Sequence, residues 1–258
     1  MPVASGLYYY AYQGGELESL PVVLIHGAGG NHLYWPLEVR RLPGYRIFAL
    51  DLPGHGKSAG QGHQSVSAYV GTVLEWLEAM SLNRAVFVGH SMGGAIAIGL
   101  GIHFPEHVLG LGLVASGSRL RVDPELLMST SSPTTFTKAI DYIIKESFSS
   151  STDAQLVEIA TKRLAETRPS VLYGDFLACN MFDVVEQLKQ IRKPTLLVCG
   201  GEDKLTPPRF SQHIAGEISG ARLEIIPQAG HMVMLEQPVA VAKALARFLA
   251  EIPYLAGE

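Results

Sequence analysis

Short apolar runs rich in β-branched residues alternate along the chain with segments whose apolar positions recur at helical spacing. That alternation predicts parallel strands joined by helices, an α/β protein. Strands are expected at Leu7 to Tyr12, Pro21 to Ile25, Arg46 to Leu50, Arg84 to Val88, Val108 to Ala115, Thr195 to Cys199 and Ala221 to Ile226. Helices are expected near Leu33 to Arg41, Ser65 to Met80, Met92 to Phe104, Pro208 to Ile218 and Pro238 to Ala250. Pro208 marks a helix start and Pro105 a helix stop.

Between the strand ending near Ser116 and the one starting near Pro194, residues 117–193 are too many for a plain loop. They carry helical patterns of their own, at Phe136, Ile140, Ile143 and Phe148, at Leu156, Ile159 and Leu164, and over Val171 to Cys179. Clusters of Ser, Thr and Pro separate these patterns, which is turn and cap chemistry. The expected organisation is therefore a core of residues 1–116 and 194–258 with an inserted helical cap, or lid, over 117–193. Phe136, Phe148 and Phe176 of the insertion, with Met232 of the core, are candidate walls of a substrate pocket. A helical lid must also bury a stripe against its own neighbours, so the same side chains can equally be its core.

Composition narrows the function. With 258 residues, 47% hydrophobic and 17% charged, the chain can bury a substantial core and is not disordered. A net charge of -4 without a basic run leaves no footprint for nucleic acid. Cys179 and Cys199 make neither a disulfide scaffold nor a zinc site, and the default is a reducing, cytoplasmic setting. The longest uncharged stretch, Ala85 to Pro105, has the length of a membrane span, but Gly89, Gly93, Gly94, Gly99 and Gly101 punctuate it. Strand, turn and buried helix explain it better. The first charge is Glu16, so no basic residue precedes an apolar segment as in a secretory signal. A protein working away from membranes, as monomer or homodimer, is expected.

The sharpest motif is Gly89-His90-Ser91-Met92-Gly93-Gly94, set between an expected strand and an expected helix. This is G-x-S-x-G in the context of a nucleophile elbow, where a direct strand-to-helix turn strains the serine and projects its hydroxyl at the sheet's C-terminal edge. A neutral serine needs a base, and the base needs an orienting acid. Nine histidines compete. His231 follows the last expected strand and Asp203 the one before it, so both stand at the strand ends where such folds place catalytic groups. Their blander roles would be a helix-entry histidine and a loop-capping aspartate. A second glycine-rich turn, His26-Gly27-Ala28-Gly29-Gly30, follows another strand, and the backbone N–H groups of Ala28 and Met92 are the natural oxyanion hole.

With HGAGG at His26 to Gly30, DLPGHGKS at Asp51 to Ser58, GHSMGG at Gly89 to Gly94, GGED at Gly200 to Asp203 and AGH at Ala229 to His231, the chain resembles the α/β-hydrolase superfamily over essentially its full length. The resemblance implies a mostly parallel sheet with flanking helices and an inserted helical cap. It also implies a triad of Ser91, Asp203 and His231, with no metal or organic cofactor. The short N-terminus leaves seven or eight strands open. Dehalogenase and epoxide hydrolase branches carry an aspartate nucleophile where Ser91 stands here. Carbon–carbon hydrolases usually have asparagine and tryptophan where His90 and Met232 stand. What remains resembles small capped carboxylesterases, which implies a serine hydrolase cleaving small-molecule esters of small to medium acyl groups through an acyl-enzyme. A carbon–carbon or lactone hydrolase and a ligand receptor on the same scaffold are the alternatives.

Two weaker motifs are set aside. His103-Phe104-Pro105-Glu106-His107 matches the H-x-x-E-H zinc signature, but Pro105 breaks the helix that must carry both histidines. Gly56-Lys57-Ser58 has Asp51 where a phosphate loop needs its first glycine.

Overall fold

The continuous apolar runs form the middle of a single sheet. A computed structural model describes residues 2–254. Its strands are β1 (Val3–Ala4), β2 (Leu7–Gln13), β3 (Pro21–Ile25), β4 (Arg46–Leu50), β5 (Ala85–His90), β6 (Val108–Val114), β7 (Thr195–Gly200) and β8 (Arg222–Ile226). They lie in the order β1-β2-β4-β3-β5-β6-β7-β8. β1 and β2 pair antiparallel, as do β2 and β4, and every later pair in that order is parallel. The eighth strand is β1, which pairs Val3 with Tyr8 and Ala4 with Leu7. Its two residues are too few to show a period, so the hydrophobic pattern does not reveal it.

Helices α1 (Leu37–Arg40), α2 (Val66–Ala79) and α3 (Met92–His103) belong to the first half of the core. Then α4 (Pro124–Thr130), α5 (Phe136–Ser147), α6 (Ala154–Ala165) and α7 (Pro169–Met181) lie between β6 and β7. The chain closes with α8 (Pro208–Glu217), α9 (Val233–Glu236) and α10 (Pro238–Leu249). Strands β3, β5 and β7 are buried along their whole length, so both faces of the sheet need cover. Alternation along β3 shows how it is supplied. Val23 and Ile25 pack with Val70 and Val73 of α2 and Ile96 of α3, whereas Val22 and Leu24 pack with Val39 of α1 and Val241 and Phe248 of α10.

Helix α3 is buried from Met92 through Ile102 with no polar face, so the uncharged stretch is an interior strand and helix. Among the described residues no helix is long and apolar enough to cross a membrane. α3 stops at His103, and Pro105 opens a separate 3-10 turn, so His103 and His107 do not share a helix. The helix expected over Leu33 to Arg41 is a 3-10 turn at His32–Tyr34 and then α1, divided at Pro36. Proline cannot continue the hydrogen-bond ladder, and here it starts the second piece. Helix α4 was not expected from periodicity, although its start is chemically marked. Asp123 accepts from the Glu125 and Leu126 N–H groups, and Pro124 occupies the first turn.

Candidate active site

Strand β5 ends at His90 and α3 begins at Met92, so Ser91 alone makes the turn. Its φ of 52° and ψ of -115° lie in a region that a residue with a Cβ occupies at a cost of about 1–3 kcal/mol. The glycines explain how the chain fits. A Cβ on Gly89 would come within 2.0 Å of the Gly93 carbonyl oxygen, and one on Gly93 within 2.2 Å of that of Ile25. Hydrogen bonds hold the strained residue on both sides. The Ser91 N–H donates to the Val114 carbonyl at 2.9 Å, and Ser116 Oγ donates to the Ser91 carbonyl at 2.7 Å.

Asp203 and His231 meet at the ends of β7 and β8, with His231 Nδ1 3.0 Å from Asp203 Oδ2. The carboxylate is buried, and the Leu205 and Thr206 N–H groups donate to its Oδ1 at 2.9 and 2.8 Å. Thr206 Oγ1 donates to Oδ2 at 2.8 Å and also lies 3.1 Å from His231 Nδ1. Burial alone would raise the Asp203 pKa. The charge and hydrogen bond of His231, with the Thr206 donors, outweigh burial and hold it down to about 2. Thr206 escaped the sequence reading, although an aspartate two and three residues ahead of free N–H groups is a turn signal.

His90 is buried beside this pair, its ring centroid 4.8 Å from that of His231. Its Nε2–H donates to the His231 carbonyl at 3.0 Å and its Nδ1 has no partner, so the ring is neutral. Burial, reinforced by the His231 charge, pushes its pKa down to about 3. His90 holds the His231 loop in place.

The turn after β3 passes directly against the elbow. A Cβ on Gly27 would stand 3.1 Å from Ser91 Cβ, and the turn closes with Gly30 N–H donating to the Gly27 carbonyl at 3.1 Å. Met92 occupies the first position of α3, where N–H groups lack partners inside the helix. Ala28, Ser91 and His231 all border one cavity of about 710 Å³.

Apolar side chains line most of that cavity, among them Phe148, Phe176 and Met232. Phe136 is not one of them. It packs with Ile140, Leu164 and Leu172 inside the inserted helices, because helical spacing marks a buried stripe without naming what covers it. Cys179 also borders the cavity, but burial, with the Asp175 charge, pushes its thiol pKa up and keeps it from being a thiolate. Exposed Arg119, Arg121, Lys204 and Arg209 contribute positive charge, and Arg119 and Arg121 share Asp183. The inserted helices also touch the His231 loop. A Cβ on Gly230 would come within 2.8 Å of the backbone at Phe148, and Glu236 accepts from both the Gly230 and the Ser149 N–H groups.

An eight-stranded, mostly parallel sheet with a serine elbow at its edge describes a hydrolase class, and comparison with known proteins gives the same class. The chain belongs to the alpha/beta hydrolase family, whose model matches residues 22–244. It is 29% identical over 245 residues to a pimeloyl-[acyl-carrier protein] methyl ester esterase of Neisseria meningitidis serogroup A, covering 88% of this chain and 77% of that one. Among solved structures it is similar to a thermophilic esterase, at 33% identity and a TM-score of 0.82 over 97% of this chain and 96% of the other. An N-acyl homoserine lactone degrading enzyme is similar at 26% identity and a TM-score of 0.84, over 94% of this chain and 96% of the other. Relatives of this kind support hydrolase activity.

Proposed function

We propose that the protein is a serine hydrolase that cleaves carboxylic esters of small to medium acyl groups. Ser91 Oγ attacks the ester carbonyl while His231 Nε2 takes its proton, and the oxyanion forms against the Ala28 and Met92 N–H groups. His231 then protonates the departing alcohol, Asp203 orienting its ring throughout. A water deprotonated by His231 attacks the acyl-enzyme and returns Ser91. Residues 117–193 act as a cap that selects the acyl group while the core performs the chemistry.

The observation that carries this reading is the strained Ser91 on the same cavity as a histidine already paired with a buried aspartate. Apolar walls at Phe148 and Phe176 favour an uncharged acyl chain, and the cations at Lys204 and Arg209 disfavour substrates carrying a positive group. Lactone hydrolysis is the second reading, since the chemistry is the same and the similarity to a lactone-degrading enzyme favours it. A panel of aryl and alkyl esters of increasing acyl length, lactones and cationic choline esters separates the two. Acetate to hexanoate esters should give the highest kcat/KM, with choline esters poor. Turnover confined to lactones would favour the second reading, and no turnover at all would turn attention to a receptor.

A further inference from the structure

Asp175 lies in the middle of α7, in the insertion, and is fully buried. A carboxylate cannot stay there without strong partners. Three arrive from three separate segments of the core. The Gly29 N–H donates to Oδ2 at 2.8 Å, His55 Nε2 donates to the same oxygen at 2.8 Å, and the Tyr69 hydroxyl donates to Oδ1. His55 Nδ1 faces the Pro53 carbonyl at 3.0 Å, so both ring nitrogens meet acceptors and the ring is an imidazolium.

Gly29 immediately follows Ala28, and its other peptide group is held from the insertion as well. Thr167 Oγ1, between α6 and α7, donates to the Gly29 carbonyl at 2.8 Å. Gly29 itself has a φ of 64°, and a Cβ on it would lie 2.7 Å from Leu164 and 2.9 Å from Leu172. The insertion thus grips the peptide on each side of Gly29 and closes over its Cα.

We infer that Asp175 and Thr167 are positioning residues for catalysis: they set the peptide planes of the Ala28–Gly29 turn and so aim the Ala28 N–H at the oxyanion. The inference rests on the serine hydrolase reading. An insertion that merely selected substrate would need no hydrogen bonds to this turn. Donors misplaced by about an ångström lose much of their effect on rate, because an oxyanion hole works by being preorganised.

The test uses Thr167→Val, which keeps shape and removes only the Gly29 contact, and Asp175→Asn, which weakens the other. Steady-state kinetics on a short-chain aryl ester are compared with inhibition by a trifluoromethyl ketone, whose adduct oxygen occupies the oxyanion hole. Each variant should lose about tenfold or more in kcat and a matching factor in inhibitor affinity, with KM within about twofold. Tyr69→Phe strips a donor from the same carboxylate but leaves both Gly29 contacts, so it should lower the melting temperature and spare both readouts. If Asp175→Asn fails to fold, Thr167→Val decides alone. Wild-type kcat and inhibitor affinity in the folded variants would overturn the inference and reduce Asp175 to a fastener. A wild-type enzyme indifferent to the ketone, or an active Ser91→Ala variant, would overturn the serine reading and this inference with it.

Discussion

Asp203–His231 and Asp175–His55 are built from the same two side chains at nearly the same separation, 3.0 and 2.8 Å, and all four side chains are buried. What differs is the second ring nitrogen. Asp203 and Thr206 engage Nδ1 of His231 and leave Nε2 as the lone-pair nitrogen of a ring that borders the cavity. Both nitrogens of His55 are spent, one on Asp175 and one on Pro53. A histidine held at one end can exchange a proton, whereas one held at both ends can only fasten segments together. On the proposed mechanism the first pair carries a proton at the edge of the sheet, whereas in the second His55 ties Asp175 of the inserted helices to the core.

The contrast breaks most clearly under substitution. Asp203→Asn should lower kcat by about 10⁴-fold, as expected when the histidine loses its orienting charge, and should also lower the melting temperature at neutral pH, because the depressed pKa of Asp203 is itself a contribution to stability. His55→Gln should lower the melting temperature without a comparable loss of kcat. Removing one partner of a buried ion pair costs about 3–5 kcal/mol, which thermal melting would detect, while kcat of the folded protein stays within about tenfold.

The buried histidines respond to acid with opposite signs. His26 and His90 are buried neutral, with pKa values of about 4 and about 3; burial dominates both, helped by the His55 and His231 charges respectively. The unfolded chain takes up protons on these two from pH 6.5 downward while the fold does not, so stability should fall as pH drops from 6.5 toward 4. His55 runs the other way. Burial opposes its charge, but the Asp175 charge and hydrogen bond outweigh burial and raise its pKa. Its contribution is complete below pH 6.5 and is lost as pH rises through the raised value. A pH series of melting temperatures should show both flanks in the wild type, and His55→Gln should abolish only the alkaline one.

The smallest effects concern the pocket. Phe148→Ala and Phe176→Ala should shift preference toward longer acyl chains by about tenfold, since each removes a wall without touching the chemistry. Phe136→Ala should lower stability and scale all esters by one common factor, because Phe136 is insertion core.

How much of this could be read from the sequence follows the range of the interactions. Ser91, Asp203 and His231 were legible because each sits just past a strand, where local pattern and glycine chemistry announce it. Asp175 was not. Its partners Tyr69, His55 and Gly29 lie 106, 120 and 146 residues away, and an acid within a helix reads as a solvated face until the fold buries it. Phe136 and Phe148 shared one periodic stripe, and only packing separated the residue facing Leu172 from the one facing the cavity. Helix α4 had its cap in plain view at Asp123-Pro124 but is only seven residues long, too short for a period to register.

Treating the protein with an aryl phosphonate and mapping the adduct by peptide mass spectrometry tests Ser91 as the nucleophile. One adduct per chain is expected, on Ser91, formed in step with the loss of esterase activity and absent from Ser91→Ala and, on the same time scale, from His231→Ala. An adduct on Cys179 or another serine that tracks the loss of activity, with Ser91 unmodified, would contradict it.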